Sequence, residues 1–191
     1  MLTIKNKTIN TKYQSLLYAW HDCERCPLSL HRRSVVMVKG SLPAQILYLG
    51  EAPGKDEDAQ GEPFVGESGK VLQGIINRLP KHTYAVANVV GCIPWKDPSR
   101  LNDPFSSSEI RQPSKEEIAA CEPRTSTIRK LVNPIGIVLL GNVPSAVIQD
   151  GPICKVFHPA YLLRKNFKAG HHIYEGVILA LESFLERVLN V

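Results

Sequence analysis

Apolar residues in this chain cluster in short unbroken runs, and between those runs they recur at helical spacing. Residues 44–49 (AQILYL), 84–90 and 135–140 are such runs, and residues 153–157 form a shorter fourth. Short apolar runs bounded by turn residues predict buried strands. Over 69–79 the positions Val71, Leu72, Ile75, Ile76 and Leu79 share a helical face, and residues 116–132 and about 173–189 predict two further helices. A leading helix is predicted over 11–21, where Tyr13, Leu16, Leu17 and Trp20 recur at the same spacing. Strands alternating with helices predict an α/β fold, a mainly parallel four-stranded sheet with helices on both faces. Residues 93–114, with Pro94, Pro98, Pro104 and Pro113, carry no periodicity and predict a long loop inserted into a single domain spanning 1–191.

Ligands of open parallel sheets sit beyond the carboxyl ends of the strands. Glu51 follows the first predicted strand, Asn88 ends the second and His158 ends the last, so three polar side chains are expected at one edge. Between the first strand and its helix lies Gly50-Glu-Ala-Pro-Gly54-Lys-Asp-Glu57, followed by Gly61-Glu-Pro-Phe64-Val-Gly66-Glu-Ser-Gly69. Glycines there let backbone approach a flat ligand or a phosphate. The segment is not a phosphate-binding loop of the Walker type, which would need Gly at Phe64 and Ser or Thr at Val71.

Charge adds a direction. Lys and Arg number 23 against 18 Asp and Glu, a net charge of +5, which favours a polyanionic partner such as nucleic acid. No run of about 18 apolar residues and no signal-peptide core is present, so a soluble, cytoplasmic protein with no membrane partner is expected.

Five cysteines without an export signal point to metal ligation in a reducing compartment. Cys23 and Cys26 form a CxxC pair, and Cys92 and Cys121 follow at long range. Four thiolates suit either zinc or a four-iron cluster, and spacing does not choose between them. Cys154 lies in an apolar strand and reads as a core residue.

In order along the chain, LYLGEAPGKDEDAQGEPFVGESGKVL, ANVVGC, the EEIAAC helix start and FHPAYLLR resemble the successive motifs of the family 4, iron-sulfur uracil-DNA glycosylases. The likeness spans about 23–164 and interleaves with the four cysteines. It implies a three-layer α/β/α sandwich and a structural 4Fe-4S cluster on Cys23, Cys26, Cys92 and Cys121. It also implies a monomer that binds single- or double-stranded DNA and hydrolyses the bond between a flipped-out uracil and its sugar.

On that likeness Phe64 stacks on the base, Asn88 pairs with its N3–H and O4 edge, and Ala52 lines the same pocket without offering a side-chain base. His158 donates to O2 as charge develops there, Glu51 orients water or stabilises the cationic sugar, and Glu57 shares that task or shapes the pocket. Leu162 or Leu163 fills the gap left by the flipped base, while Arg164 and Lys165 hold flanking phosphates. Two departures stand out: Gly91 replaces the Lys common after Asn-Val-Val, and the segment from Cys92 to Cys121 is longer than usual. The added loop, with Trp95, Lys96, Arg100 and Phe105, could meet DNA or cover the pocket. The covalent reaction of a related branch needs a loop histidine, and none occurs between His82 and His158. Rival readings are a glycosylase for another modified base, a non-catalytic binder of uracil-containing DNA, and a zinc-bearing nucleotide-binding protein of flavodoxin-like topology.

Overall fold

The computed structural model describes residues 2–4, 7–97 and 109–190. Strands β3 (Ile46–Gly50), β4 (Tyr84–Asn88), β5 (Gly136–Leu140) and β6 (Ile153–Val156) coincide with the four apolar runs and lie parallel in the order β4-β3-β5-β6. Among the described residues the sheet has six strands rather than four. Strand β2 (Val38–Leu42) adds antiparallel to β4, and β1 (Leu2–Ile4) adds parallel to β2. Neither extra strand has a run that announces it: β1 is three residues long, and β2 holds Gly40 at φ 112°. A Cβ at Gly40 would sit 2.4 Å from the Tyr84 carbonyl oxygen, so glycine there is what lets β2 pair closely with β4.

Alternation along the central strands divides the core into two layers. Leu47 and Leu49 of β3 and Ile137 and Leu139 of β5 pack on one face with Leu16 and Trp20 of α1 (Lys7–Trp20) and Ile128 and Leu131 of α4 (Lys115–Val132). Ile46, Tyr48, Val138 and Leu140 point to the other face. There they meet Leu72 and Ile75 of α3 (Glu67–Ile76) and Ile178, Leu181 and Phe184 of α7 (His172–Leu189). A strand buried on both faces must be apolar at every position, which is why these runs lack the alternation of a half-exposed strand.

Helix α4 is specified at its start by a capping box. The Glu117 backbone N–H donates to the Ser114 hydroxyl, and the Ser114 N–H donates to the Glu117 carboxylate. Three short helices were not foreseen: α2 (Lys55–Gln60), α5 (Asn142–Val147) and α6 (Pro159–Arg164), each six residues long and below the length at which periodicity can be read. Among the described residues no helix is long and apolar enough to cross a membrane.

Candidate active site

The parallel strands end at one edge of the sheet, and the loops leaving them line an open cleft of about 1140 Å³. Register sets its floor. Gly50 pairs with Asn88, and beyond the strands the Val89 and Val90 N–H groups donate to the carbonyls of Gly50 and Glu51 at 2.9 and 3.0 Å. Glu51 and Asn88 are therefore held side by side, and both line the cleft with Ala52, Phe64 and His158.

Asn88 is buried, yet among the described residues its side-chain amide takes part in no hydrogen bond. The amide is not among the buried polar atoms left without a partner, so it is open to the cleft, where a ligand can pair with it. Its backbone carbonyl is fixed instead, accepting from the guanidinium of the fully buried Arg124 at 3.0 and 3.2 Å. Phe64 has φ 55°, unusual for a bulky residue, and its carbonyl packs where a Cβ on Gly69 would come within 2.0 Å. Its ring lies 6.2 Å from that of His158, at an interplanar angle of 28°.

Gly50 makes room for both Asn88 and Phe64. A Cβ there would meet Asn88 Oδ1 at 2.4 Å and Phe64 Cζ at 2.7 Å. Replacing Gly50 by Ala is expected to push both aside and lower kcat/KM on the substrate about a hundredfold, the loss typical of an ångström-scale displacement. Steady-state kinetics with a melting curve on the same variant checks this, and near-normal kinetics would show that the two side chains tolerate the shift.

His158 caps α6: its Nδ1 accepts the Ala160 N–H at 3.1 Å, which leaves the proton of the neutral ring on Nε2. Burial, helped by the neighbouring Arg164 cation, pushes its pKa down to about 4. The ring is therefore a neutral donor at physiological pH. Burial pushes the Glu51 carboxyl above its ordinary range, and Arg164 opposes this. Gly141, at φ 93°, follows β5, and a Cβ there would lie 3.2 Å from the His158 Cβ. Neither Gly141 nor the cleft-lining Asn142 was singled out from sequence, although the strand-end rule that found the other groups applies equally to β5.

Glu57 lines the cleft, but both of its carboxylate oxygens are engaged. They accept the N–H groups of Gly54 at 3.0 Å and Gly66 at 3.3 Å, clasping the two glycine loops together. One expectation is corrected outright. Leu162 is 0% exposed and packs in the core with Leu72 and Ile178, because α6 turns that face onto α3. It cannot fill a gap in DNA. Leu163, 41% exposed, projects from α6 beside the exposed Arg164 and Lys165.

The inserted loop leaves from a short stalk. Trp95 bridges Ile110, the Trp95 indole N–H donates to the His31 carbonyl at 3.2 Å, and Lys96 pairs with Glu109 at 2.9 Å. Lys96 is thus committed to a partner. Ile110, Arg111 and Gln112 line the cleft, and Arg111 makes a double hydrogen bond to Glu117. Arg100 and Phe105 lie outside the described residues.

Cys23 and Cys26 come from the turn after α1, Cys92 from the β4 exit and Cys121 from α4. Cys26 is electrostatically coupled to Cys23 and Cys121, and Cys92 to Cys26 and Cys121. Among the described residues no three acidic, histidine or cysteine side chains close to the distances of a single metal ion. Burial pushes the Cys92 thiol up to about 12, against the pull of Arg32 and Arg124. Among the described residues two buried nitrogens of those arginines, Arg32 Nη1 and Arg124 Nε, have no partner, and the Gly91 N–H donates to Cys121 Sγ at 3.3 Å. Clustered thiols with donors and cations around them fit an anionic metal-thiolate group. Cys154 is half-buried on β6, away from this group.

The uracil DNA glycosylase superfamily model matches residues 37–182. The type-4 uracil-DNA glycosylase of Thermotoga maritima is 32% identical over 186 residues, covering 86% of this chain and 90% of that protein. That of Pyrobaculum aerophilum is 28% identical, covering 75% of this chain and 81% of its own, and that of Saccharolobus solfataricus is 34% identical over 62% of this chain and 50% of its own. The ordered motifs, the sheet-edge cleft and these matches agree, and the chain belongs to the uracil DNA glycosylase superfamily, within its type-4 branch.

Proposed function

We infer that this protein is a uracil-DNA glycosylase of base excision repair, hydrolysing the C1′–N1 bond of a flipped-out uracil to leave an abasic site. The observation that carries the reading is His158, a buried neutral imidazole whose Nδ1 is occupied, so that its Nε2–H is the donor left for the cleft. Bond cleavage places negative charge on uracil O2, and a preorganised donor that needs no reorganisation is worth most at that moment.

Around that donor the other side chains divide the work. Phe64 offers a stacking face. The free amide of Asn88 complements N3–H and O4 of uracil and mismatches cytosine at both positions. Glu51, which lines the same cleft, would stabilise the sugar's developing positive charge and orient the attacking water, while Glu57 acts as a positioning residue through Gly54 and Gly66. Arg164 and Lys165 hold backbone phosphates, and Leu163 is the side chain available to fill the vacated stack.

Cys23, Cys26, Cys92 and Cys121 would hold the 4Fe-4S cluster, which supplies a structural cross-link between the turn after α1, the β4 exit and α4. Its place beside Asn88 is indirect but short: α4 carries Cys121, Arg124 and Thr125, and the last two hold the carbonyls of Asn88 and Val89.

The test is a labelled oligonucleotide with one uracil, incubated with the protein and then treated with alkali. Strand scission at uracil, and none at cytosine in the same sequence, is the expected result. An intact strand from protein that retains its iron would overturn the reading.

A further inference from the structure

Five aromatic rings run in sequence along the α6 and α7 side of the cleft. Phe157 stacks on Tyr161 with ring centroids 5.1 Å apart and 23° between planes, and Tyr161 meets Phe167 edge-on at 6.1 Å. Phe167 stacks on His171 at 4.1 Å, and His171 on His172 at 4.4 Å. The middle of the run is half-buried and fixed: His171 accepts the Ile173 N–H at 3.2 Å as the cap of α7, and Tyr161 and Phe167 pack against the core. Its two ends are different. Phe157 is 50% exposed, His172 is exposed, and both line the cleft.

Phe157 stacks on Tyr161 with one side and leaves half its surface open to the cleft, and the catalytic scheme uses neither end of the run. The surroundings say what would cover it. Lys155, Arg164, Lys165 and Lys168 are all exposed on the same segment, and among the described residues none of them has an ion-pair partner. Glu175, the acidic residue of the first turn of α7, is already taken by Arg78 at 2.6 Å and by the Gly170 N–H at 2.7 Å. Flat ring faces interleaved with exposed cations are the composition of a surface that binds unpaired nucleotides: bases stack and phosphates are neutralised.

We propose that Phe157 and His172 are stacking platforms for the unpaired bases on either side of the flipped uracil, so that the protein engages its target as single-stranded or locally melted DNA. The proposal rests on the uracil-excision reading for its location but not for its physics. A paired base presents its faces to its neighbours in the stack, and only an unpaired one is free to lie on a protein ring. The inner rings hold the two platforms in place before DNA arrives, which lowers the entropy cost of binding.

The experiment uses the iron-containing protein and an oligonucleotide carrying a stable abasic-site analogue, flanked on one side and then the other by the fluorescent base 2-aminopurine. In single-stranded form the wild type is expected to bind tightly and change the 2-aminopurine emission. Phe157→Ala and His172→Ala should each weaken single-strand binding about fivefold to a hundredfold and abolish the emission change on one side. Phe157→Leu, apolar but not flat, should behave like Phe157→Ala, and Phe157→Tyr should restore binding. Variants that bind and report like the wild type would overturn the proposal, as would equal weakening on single-stranded and fully paired DNA. Uracil excision is assayed on the same preparations: an inactive wild type that still shows the stacking signal would refute the excision reading alone, and an active one without the signal would refute the platforms alone.

Discussion

Replacing His158 by Ala is expected to slow uracil excision about 10²- to 10³-fold, the effect of removing one preorganised donor to a developing oxyanion, with little change in affinity for uracil-containing DNA. A hydrogen bond from His158 to O2 would strengthen as charge moves there, so its loss should be felt in the transition state more than in the bound substrate. Because burial holds the His158 pKa at about 4 rather than 6.5, the rate should show no histidine titration near 6.5 on going from pH 8 to pH 5. The same shift has a stability consequence with the opposite sign from that of a salt-bridged histidine. The unfolded chain takes up its proton first, so the wild type loses stability as pH falls from about 6.5 to about 4. The loss reaches about 3 kcal/mol below that window and is absent from the variant. Single-turnover kinetics and denaturant titrations across this range check both halves. His158→Asn, which can still accept the Ala160 N–H, separates the lost cap of α6 from the lost donor. A variant that keeps full activity would remove His158 from the chemistry.

How much of this was legible in the sequence depends on how locally each feature is encoded. The four central strands were, because burial on both faces demands continuous apolar runs; Ile46 to Leu49 admit hardly any other reading. The strand-end groups Glu51, Asn88 and His158 follow from those runs and from the rule that parallel sheets expose their carboxyl ends. The edge strands were not legible, since β2 is a five-residue segment whose pairing depends on what Gly40 permits at Tyr84. Leu162 and Leu163 are adjacent apolar residues in a helix too short to have a readable phase, so only packing shows that one belongs to the core and the other to the surface. The role of Glu57 was hidden for another reason: a carboxylate in a glycine loop has the same appearance whether it meets substrate or clasps two backbone N–H groups.

Arg124 was the least legible residue. In KEEIAACEPRTSTIRK it reads as one more cation on a polar helix, yet it is 0% exposed. Gly91, the departure at the end of Asn-Val-Val, explains how it fits: a Cβ there would lie 2.5 Å from Arg124 Nε. A fully buried guanidinium is unfavourable unless an anion compensates it, and among the described residues it has only the carbonyls of Asn88 and Val36, with Nε unpartnered and the Cys92 sulfur nearby. An anionic thiolate cluster is the counter-charge such a cation needs. Arg124→Met is therefore expected to act differently in the two states of the protein. With iron in place the variant should lose about 2–4 kcal/mol, because two carbonyls are orphaned and an ion pair is broken. That is a fall in Tm on the order of 5–15 °C for a chain of this size. In protein stripped of iron the same substitution also removes an uncompensated buried charge, so the loss should shrink to less than half or reverse. Melting curves of iron-containing and stripped wild type and variant, with iron content and visible absorbance measured on each sample, decide it. An equal fall in both states would confine Arg124 to holding carbonyls. A larger fall with iron present would make it the electrostatic partner of the cluster, and through the Asn88 carbonyl it would tie the cluster's integrity to the geometry of base recognition.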